Sequence, residues 1–175
     1  MTRRQVLMAS AAILPALGSC GLSGAHPQTA PQLGAAPRAR DDVSRRRLSL
    51  LSVLNAHRSA ADLPNLTLAP TLDRAALAHA RDLSGQGQTG HRGTDGSMPT
   101  QRAARTGYAG RLLGEVVARS TSGAGAVLSD WLADPDTAAV LLDPAAQDAG
   151  LALHVDAVGT GWWVVMTGTG GSTDE

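Results

Sequence analysis

The sequence holds no Phe, no Lys, one Tyr, three Trp and one Cys in 175 residues. Each shortage excludes something. A lone cysteine cannot close an internal disulfide, so a fold of this size must stand on packing. With so few aromatic rings, Leu, Val and Ala must fill the core, and a hydrophobic content of 43% supplies enough of them. Every side-chain cation other than His is Arg, and the acids are as one-sided, thirteen Asp against Glu115 and Glu175. Formal charge is zero; without residues 1–19, which carry Arg3 and Arg4, thirteen Arg face fifteen acids. A mildly acidic domain with no basic stripe is poor material for neutralising phosphates, so nucleic acid is not an expected partner. Long apolar runs are missing too. Val6 to Ala16, with Pro15 inside it, falls short of the ~20 residues that span a bilayer.

That short run is instead the hydrophobic region of an export signal, behind a charged head, Thr2-Arg3-Arg4-Gln5, of twin-arginine type. Leu17-Gly18-Ser19-Cys20 resembles a bacterial lipobox, in which small residues precede a cysteine that is lipidated. The expectation is a signal peptide over 1–19, lipidation at Cys20 and a membrane-anchored lipoprotein of the cell envelope, because two or three acyl chains hold firmly. Residues 20–42, with Pro27, Pro31 and Pro37 among Gly, Ala and Gln, cannot repay their ordering entropy and are expected to be a flexible tether. The same composition argument makes 168–175 a disordered tail.

The globular part is expected over 43–167, long enough for one domain of ~100–150 residues. Ser44 can cap a helix through residue 60, with Leu48, Leu51 and Leu54 at three-residue steps. Leu66 to Leu68 is a short extended link. Pro70 suits the first turn of a second helix, with Leu72, Ala76, His79 and Leu83 on one face and Gly85, Gly87 and Gly90 ending it. Asp95-Gly96-Ser97 is a turn, Pro99 opens a third helix, and Leu112 to Arg119 is a strand candidate. Ala124 to Leu132 and a segment capped by Asp136 read as helices. Gly150–Val155 and Trp162–Met166 read as paired strands about a turn supplied by Gly159 and Gly161. Helices first and strands later argue an α+β domain.

Four strings, in order, resemble the bacterial branch of the CAP superfamily (cysteine-rich secretory proteins, antigen 5, pathogenesis-related 1). They are LNAHRSAADLPNLTLAPTLDRAALAHARDLS, with Asn55 and Arg58 placed as in the family's Asn-x-x-Arg; GHRGTDGSMPTQRAARTGY; GEVVA; and WLADPDTAAVLLDPAAQDAGLAL. The resemblance covers roughly 47–167 and implies a three-layer α-β-α sandwich around a small antiparallel sheet. It also implies a central cleft lined by two histidines and one or two glutamates, which in some members holds a divalent metal. Matched position by position, His91 is the first histidine and Glu115 the glutamate. Thr137 stands where the second histidine belongs, and Val116 replaces an Asn.

These departures carry chemistry. Zinc wants three protein ligands or more, and His91 with Glu115 supplies two, so the expected cofactor is none, zinc included. His57, His79 and His154 are the other histidines of the domain; His79 is expected to be a packed core residue. Hydrolysis needs a nucleophile beside a base or a metal-activated water. No Gly-x-Ser-x-Gly elbow occurs, and Ser97 is expected to serve the turn before Pro99. The sequence therefore points to a non-enzymatic binding or interaction module with a degenerate cleft at His91, Glu115 and Thr137. Its ligand would be a lipid, a cell-wall fragment or another envelope protein. The alternative is a weak metal-dependent hydrolase using His91 and Glu115.

Overall fold

A computed structural model describes residues 35–170; residues 1–34, with the expected signal segment and Cys20, and residues 171–175 lie outside the described residues. The chain runs α1 (Ala35–Ala60), β1 (Thr67–Leu68), α2 (Pro70–Gln86), α3 (Pro99–Arg105), β2 (Leu112–Ser120), α4 (Ala124–Ala133), α5 (Pro135–Leu141), β3 (Asp148–Val155) and β4 (Gly161–Gly168). The sheet order is β1-β3-β4-β2. β4 pairs antiparallel with both β2 and β3, while two-residue β1 joins β3 in parallel.

Alternation along β3 and β4 sorts side chains into two cores, because successive residues of a strand face opposite ways. Leu151, Leu153, Trp163 and Val165 pack with Leu50 and Leu54 of α1, Val127, Leu128 and Trp131 of α4, and Leu141 of α5. Ala152, Trp162, Val164 and Met166 pack with Leu72, Ala75, Ala76, Ala80 and Leu83 of α2 and Ala103 of α3. Helices thus cover both faces of the sheet, an α+β three-layer sandwich. Gly150 lets α2 close in, since a Cβ there would run into the backbone of Leu72.

Several expectations need adjusting. α1 begins at Ala35, well before Ser44, so residues 35–42 are helix. Ala and Arg dominate that stretch and are strong helix formers, and Pro37 falls in the first turn, where its missing N–H costs nothing. Gly85 lies inside α2; Gly87, at φ 72°, is the residue that ends it. α5 is capped by Asp134, which accepts from the N–H groups of Asp136 and Thr137, not by Asp136. The sheet continues past Met166 to Gly168, whose C=O accepts from Gln147 N–H at 2.9 Å, so the stretch from 168 opens inside a strand.

Asn55 and Arg58 act as staples. The Asn55 amide donates to Leu66 C=O at 3.1 Å and accepts from Leu66 N–H at 2.8 Å, standing in for a strand partner. The Arg58 guanidinium, 0% exposed as a residue, donates to the carbonyls of Pro64, Leu141, Asp143 and Ala146. It ties α1 to the loop before β3 and thereby closes the layer of α1, α4 and α5.

Candidate functional site

β2 points Glu115 toward the α2–α3 layer, opposite Met166. Its carboxylate is 1% exposed and is held from two sides. Nη2 of Arg102, from α3, lies 3.0 Å from Oε1 and 2.8 Å from Oε2. His91 Nδ1 lies 2.9 Å from Oε1; a carboxylate only accepts, so Nδ1 carries the proton. Arg102 also donates to His91 C=O at 3.0 Å and Ser97 C=O at 2.8 Å, so one guanidinium fixes both the carboxylate and the loop that presents His91. Arg102 is nearly buried, whereas the His91 side chain is 52% exposed. One side of the cluster is therefore sealed and the other is open.

His79, on α2, completes it from below. Its Nε2 donates to Gly90 C=O at 2.8 Å and lies 3.6 Å from Glu115 Oε1. Burial pushes its pKa below the usual histidine value, with Glu115 pulling the other way. The loop between α2 and α3 is pinned by two aspartates. Asp82 accepts from the Thr94 hydroxyl at 2.6 Å and the Thr94 N–H at 2.9 Å; burial opposes ionisation there, yet these bonds and Gln86 hold Asp82 below the ordinary carboxylate range. Asp95 is held far below that range by the hydroxyl and N–H of Ser97 and by Arg105. The Ser97 hydroxyl is thus spent on Asp95 within the turn.

The structure joins His91 to Glu115 by a hydrogen bond, whereas the bonds of Thr137 run to α4 and to Asp134. The Thr137 hydroxyl bonds to Trp131 C=O at 2.5 Å and contacts Asp134 C=O, tying α5 to the end of α4. Thr137 lines a groove of about 400 Å³ with Val117, Arg119, Trp131 and Thr89, the last from the loop that presents His91. His57 is exposed on α1, and His154 is half-buried on β3. His79 is buried, as a packed core residue should be, and lies against Glu115 besides; Arg102 is the participant that the sequence did not single out. A signal for Arg102 existed, because a buried glutamate calls for a buried cation; nothing in the spacing said which of the arginines it would be.

A three-layer sandwich with a Glu–Arg–His cluster at the start of an edge strand defines an α+β domain of the cysteine-rich secretory class. A model of the family described as "CAP: Cysteine-rich secretory protein family" matches residues 51–167, and the chain belongs to that family. Its single cysteine lies outside the matched region. No curated protein sequence matches at a significant level. Among solved structures, an outer surface protein from Borrelia burgdorferi aligns with a TM-score of 0.66 at 22% identity, covering 71% of this chain and 92% of that one. An extracellular protein containing an SCP domain from Bacillus anthracis gives 0.64 at 20% identity over 73% of this chain and 41% of that one. A cysteine-rich secretory protein from Staphylococcus aureus gives 0.59 at 13% identity, over 73% and 39%. At these identities the likeness speaks for the fold.

Proposed function

We propose that this chain is an exported, envelope-tethered binding or interaction module without catalytic activity. The observation that carries this reading is the saturation of Glu115. Arg102 spans both carboxylate oxygens and His91 Nδ1 donates to one of them, which occupies Glu115; no hydroxyl or thiol among the described residues hydrogen-bonds the other ring nitrogen of His91, so no base–nucleophile pair is assembled. A divalent metal, which the family resemblance raises, does not fit this donor set. A cation approaching Glu115 would meet a guanidinium at 2.8 Å from one oxygen and 3.0 Å from the other, and Thr137 supplies no imidazole. Among the described residues no group of three or more His, Cys, Asp or Glu side chains is arranged to hold a metal ion. Cleft residues His91 and Glu115 then serve the binding surface through the order they impose on the loop from Thr89 to Ser97.

Export is supported by the twin-arginine-like head and by the character of two structural neighbours, an outer surface protein and an extracellular one. Tethering rests on Cys20 and its lipobox. The test has two parts. Zinc titrated calorimetrically into the purified protein should give no heat of specific binding, and peptide or glycan substrates should survive incubation with it. Hydrolysis that disappears in His91→Ala would overturn the non-catalytic reading. Separately, Cys20→Ala should move the protein out of the membrane fraction; unchanged fractionation would end the lipid-anchor assignment.

A further inference from the structure

The sheet has two edges, and they are finished differently. On the β3 side, Thr67 and Ala69 donate to Gln147 and Ala149 C=O. Where β1 stops, side chains take over. Asp73 accepts from Leu151 N–H at 2.8 Å, Arg47 donates to Leu151 C=O at 2.7 Å, and the two form an ion pair at 2.8 Å. That edge is covered as far as Leu151.

The β2 side is not. Gly168 C=O points toward Gln147, beside β3, so Gly168, Met166, Val164 and Trp162 present their backbone groups to β3, and Val165, Trp163 and Gly161 present theirs to β2. Val116, Ala118 and Ser120 are the partners of those three. Val117 and Arg119 consequently turn their N–H and C=O outward. The Trp131 indole donates to Val117 C=O at 3.3 Å. Val117 N–H, Arg119 N–H and Arg119 C=O have no hydrogen-bond partner among the described residues. An unpaired edge of this kind is a template for another strand.

A groove of about 400 Å³ lies along this edge, walled by α4 on one side and reaching Thr89 of the His91 loop on the other. Its charge is one-sided. Asp130 and Asp134 line it and are exposed, and from Ser120 to Gly170 the sequence carries six Asp and neither Arg nor Lys. The one cation on the groove, Arg119, lies over the Trp162 ring at 5.3 Å, on the sheet face away from α4.

We propose that the outer edge of β2 binds an extended, basic segment of another polypeptide by strand addition. The incoming backbone meets the three open groups of Val117 and Arg119, and its Arg or Lys side chains meet Asp130 and Asp134. Main-chain bonds supply attachment and the acidic wall selects the partner. This rests on the binding-module reading and names its ligand class.

The probe is an acetylated, amidated peptide of seven residues alternating Arg and Val, titrated into the ¹⁵N-labelled protein. At saturation, the Val117 and Arg119 amides should shift and exchange more slowly with solvent. An analogue N-methylated on the amides of one edge should bind at least about tenfold more weakly, as should the wild-type peptide to Asp130→Asn. A Glu–Val peptide should not bind. Arg119→Pro removes an outward N–H that the fold does not use and should abolish the response. Absence of binding, binding that perturbs other amides, or binding indifferent to N-methylation would each overturn strand addition. None of these would restore catalysis, which only substrate turnover can do.

Discussion

Two arginines are buried in this domain, and they are neutralised in opposite ways. Among the described residues Arg58 faces no carboxylate at hydrogen-bond distance; carbonyl oxygens of four residues surround it. Burial lowers its pKa, with Asp143 pulling back. Arg102 instead meets a buried carboxylate at 2.8 Å. The first kind of burial joins stretches of backbone and is architecture. The second makes a charge pair whose two members depend on each other, and it positions a histidine half open to solvent. The difference separates what holds the fold from what holds the site.

The comparison breaks most violently at Arg58. Arg58→Met strands four carbonyls, at about 1–3 kcal/mol each for an unsatisfied buried group, which consumes most of an ordinary domain's stability of about 5–15 kcal/mol. The variant should be insoluble or should unfold at low urea; a well-folded Arg58→Met would show that these bonds contribute little. Next comes Glu115→Gln, which leaves Arg102 as an uncompensated buried cation and should cost about 3–5 kcal/mol in urea unfolding. Asn55→Ala loses both bonds to Leu66 and should cost about 1–3 kcal/mol with the fold retained.

Acid should sharpen the contrast at the site. Because burial holds the folded His79 pKa below the unfolded value of about 6.5, the unfolded chain binds the proton first, and stability falls as pH drops through that value. Urea midpoints between pH 7.5 and 5.5 should trace this loss, and His79→Gln should flatten it. An unchanged slope would place the sensitivity elsewhere. The smallest effect is expected at Thr137→His: with Arg102 still spanning both Glu115 oxygens, zinc affinity should stay unmeasurable in calorimetry.

Much of this is legible in the chain itself. The period-three leucines of α1, Pro70 and Pro99 at helix starts, and the alternating β3–β4 hairpin set the order of elements, since each signal is local. Asn55 and Arg58 stand out by resemblance, and their role appears only once Leu66 and the loop before β3 are in place. The pairing of His91 with Glu115, 24 residues apart, follows from the same resemblance. Arg102 does not, because a counter-charge is chosen by proximity across α3 and β2 and many arginines are available. The helical start at Ala35 is hidden because the prolines around it colour the whole segment as a tether. Thr137, matched to the cleft by resemblance, bonds to α4 because a hydroxyl reaches the nearest free carbonyl.

The double-mutant cycle of Glu115→Gln and Arg102→Met, followed by urea unfolding, tests the central claim most directly. If the two groups form one closed pair, the double variant should lose at least about 1.5 kcal/mol less than the sum of the single losses. Losses that add within about 0.5 kcal/mol would mean that the two side chains act independently, and would contradict the closed pair on which the proposed non-catalytic reading rests.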